Sequence, residues 1–138
     1  MCGINFIWDK RGQLNSLDSI EAMNEVLQSR GPDGSFVHWE KNELGQFFLG
    51  HQYLQIRDLG PESQQPFTDT HRHCFLLYNG ELFASPTLSS FIPSDTAVLF
   101  QHLQNQLLHF TPSEIENALL ALNGMYAFIW LDFSQKRY

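Results

Sequence analysis

Ser35-Phe36-Val37-His38-Trp39-Glu40-Lys41-Asn42-Glu43-Leu44-Gly45-Gln46-Phe47-Phe48-Leu49-Gly50 is the stretch on which the fold turns. Residues 35–40 and 46–58 read as two strands rich in aromatic and β-branched residues. The polar segment Lys41–Gly45 between them has hairpin length. A hairpin demands antiparallel pairing, because parallel neighbours need a crossover of a dozen or more residues.

Working outward, Cys2–Trp8 is an apolar run that predicts a buried strand, ended by the turn Asp9-Lys10-Arg11-Gly12. Ser19–Arg30 predicts a helix with Ile20, Met23 and Leu27 at helical spacing, stopped by Gly31 and Pro32. Residues 59–71 read as a polar loop, and Cys74–Tyr78 as an apolar strand ending at Asn79-Gly80. Asp95–His109 reads as a helix. A second helix starts at Ser113 with a capping-box pattern through Glu116 and ends near Asn123-Gly124. Met125–Leu131 is a further strand, with a turn at Asp132–Lys136. The order β-α-β-β-β-α-α-β keeps strands together and sets helices apart, which predicts an α+β domain with mostly antiparallel sheets. A strand that begins at about Arg137, where the sequence stops, suggests a truncated domain.

The 138 residues suit one domain with a real core. Hydrophobic residues make up 43% and charged residues 17%, against a disordered chain. A formal net charge of −7 with scattered basic residues argues against nucleic acid or an anionic membrane as partner. No apolar run reaches the roughly 18 residues needed to span a bilayer. No signal-peptide pattern opens the chain, so a cytoplasmic protein is the default reading. Cys2 and Cys74 are the only cysteines, which fits a reducing compartment.

Chemistry concentrates at the start. A small residue after the initiator methionine permits its removal, which would make Cys2 the first residue. Its α-amine, with a reference pKa near 8, would then sit on the same residue as a thiol of about 8.5. That amine can take the thiol proton and return it to a leaving group without a histidine partner. On its own the Met-Cys start is a weak signal, because an N-terminal cysteine is usually inert.

Further pieces stand in order behind it. Met1-Cys2-Gly3-Ile4 is followed by Arg30-Gly31-Pro32-Asp33-Gly34. Then come Gly50-His51, Leu54, Ile56, Asp58-Leu59-Gly60, Gln65-Pro66, Asn79-Gly80-Glu81, Ser94-Asp95-Thr96 and Gly124-Met125-Tyr126-Ala127-Phe128. In this order and spacing the chain resembles the class II, N-terminal-nucleophile glutamine amidotransferase domain of asparagine synthetases, over residues 2–138. The resemblance implies a four-layer αββα sandwich of two antiparallel sheets. It implies hydrolysis of the glutamine side-chain amide to glutamate and ammonia. It implies a synthetase domain, in cis or in trans, that receives the ammonia. ATP and Mg would belong to that domain, and this one would need no cofactor.

By the same resemblance Cys2 is the nucleophile, and Asn79 and Gly80 donate to the oxyanion. Glu81 and Asp95 hold the substrate ammonium, and Tyr53, Leu54, Ile56 and Arg57 lie on the substrate-lining stretch. One position departs from the pattern. The family carries an arginine two residues past the Gly-His histidine, as a fork for the substrate carboxylate, and this chain has Tyr53. A phenol has neither the charge nor the bidentate geometry. Arg57 is roughly 13 Å further along, at about 3.3 Å per residue. A non-catalytic binding or regulatory relative is therefore the alternative, and the phosphosugar or purine-pathway branches are a third reading that the Asp58–Pro66 stretch fits less well.

Other readings compete locally. Asn79-Gly80 alone reads as a turn, Asp95 as a helix N-cap, Glu81 as a solvated residue and Arg30 as structural. His71 and His73 alternate on one strand face, but no third ligand has metal-site spacing. Cys74 reads as a small buried hydrophobe.

Overall fold

A computed structural model describes residues 2–14, 16–55, 64–84 and 94–138. In chain order the elements are β1 (Gly3–Asp9), α1 (Ser16–Val26), a 3-10 turn (Gln28–Arg30), β2 (Gly34–Asn42) and β3 (Gly45–Tyr53). They continue with β4 (Phe67–Thr68), β5 (Cys74–Ala84), α2 (Asp95–Gln106), α3 (Pro112–Leu120) and β6 (Asn123–Asp132). The two sheets are antiparallel and three-stranded, ordered β1-β3-β2 and β4-β5-β6.

Strand alternation builds the layers. Ile4, Phe6 and Trp8 of β1 and Phe47 and Leu49 of β3 meet Phe75 and Leu77 of β5 and Leu131 of β6 in one cluster between the sheets. The opposite face of the second sheet, with Leu76, Tyr78, Leu82 and Trp130, packs on Val98, Leu99 and Leu103 of α2 and Ala118 of α3. The opposite face of the first sheet takes α1. The result is the four-layer αββα sandwich expected of the sequence.

Helix α1 docks through a polar stripe. Its buried residues are Ser16, Ile20 and Asn24, one turn apart, while Met23 of the expected apolar face is 38% exposed. Asn24 accepts from the Asn5 side chain at 2.8 Å and donates to the Phe36 carbonyl at 3.0 Å, so one amide joins helix and both flanking strands. Gly50 makes room for it, since a Cβ there would lie 2.5 Å from the Asn24 carboxamide oxygen.

Several boundaries differ from the sequence reading. Helix α1 begins three residues earlier than expected and gives way to the 3-10 turn before Arg30. The residues expected to lie in a polar loop include the short strand β4. Strand β5 does not end at Asn79-Gly80: these residues pair with Ala127 and Tyr126, and the strand runs on to Ala84. Gly80 serves close approach rather than a turn, because a Cβ there would lie 2.3 Å from the Met125 carbonyl oxygen. Helix α3 opens on Thr111, whose hydroxyl accepts from the Glu114 N–H at 3.2 Å while Glu114 reaches back to the Thr111 N–H at 2.9 Å. The capping box is thus set two residues before the expected Ser113, with Pro112 at the first helical position. After β6 a turn brings Arg137 back to a single bridge with Asp132.

Candidate active site

The register of the first sheet carries Cys2 to its place. Gly3 pairs with Gln52, so Cys2 and Tyr53 stand side by side one step beyond. On β3, Phe47 and Leu49 face the second sheet, and alternation gives His51 and Tyr53 the same face. The Cys2 sulfur lies 3.5 Å from the Leu54 nitrogen, which donates to it, and 3.9 Å from the Leu54 carbonyl oxygen. Cys2 is half-buried, whereas Cys74 is buried within the strand.

The segment against the sulfur is clamped from the side by Arg30–Gly34. Gly31 passes so close to β3 that a Cβ would lie 2.4 Å from the Gln52 carbonyl carbon. The Asp33 N–H donates to the Tyr53 carbonyl at 3.0 Å, and the Asp33 carboxylate accepts from the Gln55 N–H at 2.7 Å. The Gln52 side chain donates to the Asn24 carbonyl at 2.8 Å and to the Ser35 hydroxyl at 3.0 Å. Backbone positions 52–55 are therefore held on both flanks, with Leu54 facing the thiol.

The facing strand brings the other half. Phe75 and Leu77 of β5 point at the first sheet, and the same alternation continues to Asn79 and Glu81. Strands β1 and β5 approach to within 8 Å between Cα atoms. The two strands are neighbours across the sandwich, not within one sheet. Ser94, not Asp95, caps α2, accepting from the Ala97 N–H at 3.1 Å. Asp95, in the first turn, accepts instead from the Leu82 N–H at 3.0 Å. That bond pins the start of α2 beside Glu81, and a carboxylate there also suits the helix dipole.

Burial first, then the charges of Asp95, Glu81 and Cys2, raise the Tyr78 phenol above the ordinary tyrosine range. Its own position is fixed by Gln65, whose side-chain oxygen accepts from the Tyr78 N–H at 2.6 Å and whose nitrogen reaches the Thr96 hydroxyl at 3.4 Å.

Cys2, Tyr53 and Leu54 thus meet at one end of the first sheet, β5 carries Asn79 and Glu81 on its face toward that sheet, and Asp95 is bonded to β5 from the start of α2. Ile56, Arg57 and the Asp58-Leu59-Gly60 piece lie outside the described residues. Sequence reasoning missed the clamping role of Asp33, the anchoring role of Gln65 and the burial of His51 on the inter-sheet face. Asp33 and Gln65 stand inside quoted motifs, but which strand they tie is set by long-range packing. His51 is fully buried, its ring 5.9 Å from Tyr53 and 6.5 Å from Phe36, with neither ring nitrogen partnered among the described residues. Burial lowers its pKa to about 4, so it is neutral near pH 7. His71 and His73 lie 5.9 Å apart, and among the described residues no group of three His, Cys, Asp or Glu could hold a metal. Nor is any described helix long and apolar enough to cross a membrane.

Residues 1–138 match the family described as "Glutamine amidotransferase domain". The chain is 31% identical over 143 residues to "Asparagine synthetase (glutamine-hydrolyzing) 3" of Bacillus subtilis (strain 168), covering 94% of this chain and 21% of that protein. It is 30% identical over 155 residues to "Putative asparagine synthetase (glutamine-hydrolyzing) 2" of Methanocaldococcus jannaschii, covering 96% of this chain and 28% of that protein. The chain thus spans between a fifth and a third of the length of these relatives.

Proposed function

The chain belongs to the glutamine amidotransferase domain family, and from that premise we propose that it hydrolyses the glutamine side-chain amide through Cys2 once Met1 is removed. The observation that carries the reading is the Cys2 sulfur held against the Leu54 backbone, opposite the β5 face that bears Asn79 and Glu81.

The α-amine of Cys2 takes the thiol proton, and the sulfur attacks the amide carbon. Negative charge then grows on the amide oxygen, where the Asn79 carboxamide and the Gly80 N–H donate to it. The protonated amine passes its proton to the amide nitrogen, ammonia leaves, and a thioester remains. Water attacks the thioester with the amine as base, giving glutamate and the free thiol. Glu81 and Asp95 hold the substrate ammonium. Leu54, with Ile56 and Arg57, lines the substrate. In this reading the ammonia passes to a synthetase domain in cis or in trans. ATP and Mg act on that domain, and the protein works in the cytoplasm. Tyr53 favours one second reading, a relative that keeps the site as a binding or regulatory module.

A glutamine-analogue electrophile tests the assignment by intact mass and peptide mapping. It should modify Cys2 on protein that lacks Met1 and leave Cys74 untouched. Cys74 is buried, and that burial, with Asp132 and Asp69 nearby, pushes its thiol up to about 12. Retained Met1, or labelling at Cys74, would contradict it.

A further inference from the structure

In extended backbone the polar groups of successive residues point to opposite sides, and around Leu54 the two sides have different partners. The Tyr53 carbonyl and the Gln55 N–H turn to Asp33. The Asp33 N–H donates to the first at 3.0 Å, and the Asp33 carboxylate accepts from the second at 2.7 Å. Both Leu54 groups turn to Cys2 instead. The Leu54 N–H donates to the sulfur at 3.5 Å, and the Leu54 carbonyl oxygen lies 3.9 Å from it. Strand β3 ends at Tyr53, so Asp33 takes the part of a partner strand just where the ladder stops.

These two Leu54 groups suit the two states of the sulfur. A thiol can donate to the carbonyl. A thiolate accepts from the N–H, and a hydrogen bond to a charged group is the stronger kind. The thiolate is also the nucleophile. The Leu54 N–H therefore favours the reacting form, provided that the backbone keeps it in place.

Resting on the reading of Cys2 as the nucleophile, we propose that Asp33 is a positioning residue for the reaction. By holding Tyr53 and Gln55 it keeps the Leu54 N–H on the Cys2 sulfur and so sets the reactivity of that thiol.

The test uses the full chain with Met1 removed. Asp33→Ala removes the acceptor for the Gln55 N–H, and Asp33→Asn keeps one. Alkylation of Cys2 by iodoacetamide at pH 7, read by peptide mapping, should slow about fivefold or more in Asp33→Ala and stay within about twofold of wild type in Asp33→Asn. Ammonia release from glutamine should follow the same order in kcat, with KM moved less. Amide hydrogen exchange needs no Asp33 variant: the Leu54 N–H should be protected in wild type and exchange about tenfold faster in Cys2→Ala, which lacks the sulfur. An unprotected Leu54 N–H in wild type, alkylation of Asp33→Ala at the wild-type rate or faster, equal losses in both Asp33 variants, or a defect confined to KM overturns the proposal. Wild-type protein that releases no ammonia removes the glutaminase reading, and alkylation and exchange still decide the role of Asp33.

Discussion

Asn79 and Gly80 show how one dipeptide can serve a strand instead of a turn. As isolated residues they suit a reversal. Paired with Ala127 and Tyr126 they sit mid-ladder, and Gly80 is required because the β6 backbone leaves no space for a Cβ. Asn79 consequently faces the first sheet, the direction that an oxyanion donor beside Cys2 needs. Asn79→Ala should therefore lower kcat by about two to three orders of magnitude and change KM little, because the contact strengthens only as charge develops. Steady-state ammonia release measures this. A defect confined to KM would instead place Asn79 in ground-state recognition.

At the scale of elements, α3 offers a clean contrast between a sequence pattern and the geometry that wins. The Ser113–Glu116 pattern is plausible, but Pro112 prefers the first helical position, so Thr111 becomes the cap. Thr111→Ala should cost about 1 kcal/mol and shift the urea midpoint, while Ser113→Ala should fall within about 0.5 kcal/mol of wild type. Equal effects would show that the observed cap does not hold the helix. The hairpin of β2 and β3 and the separation of helices from strands were legible because their periodicities differ. The extent of β5 was not, because an apolar run says nothing about where its partner stops, and β6 begins only at Asn123, far beyond the end of β5 at Ala84. For the proposed site, motif order alone points to Cys2, Asn79, Gly80, Glu81 and Asp95. The Asp95 bond to Leu82 and the Asp33 clamp on residues 53–55 could not, since each depends on which elements the fold brings into contact. The substrate-lining role given to Ile56 and Arg57 rests on motif order alone.

For the whole molecule, the inter-sheet layer has two tasks that conflict at His51. It must be apolar to join the sheets, as Phe47, Leu49, Phe75 and Leu77 make it, and polar at the Cys2 end if the proposed substrate is to bind there. His51 lies between those zones, fully buried and held to a pKa of about 4 by desolvation. Above the ordinary histidine value of 6.5 both folded and unfolded chains carry it neutral, and the fold has its full stability. As pH falls from 6.5 toward 4, the unfolded chain takes up a proton that the folded chain refuses, so stability is lost across that window. The shift corresponds to about 3 kcal/mol at most. His51→Leu should therefore flatten the acid limb between pH 6.5 and 4. It should leave stability at pH 7 equal to or above wild type, because removing both ring nitrogens also removes their desolvation cost. Urea unfolding at a series of pH values, read as the difference between wild type and variant, cancels the other titrating histidines. A difference that stays constant across this window would mean that His51 is hydrated in the folded protein, and that the layer is wetter at the substrate end than its packing indicates.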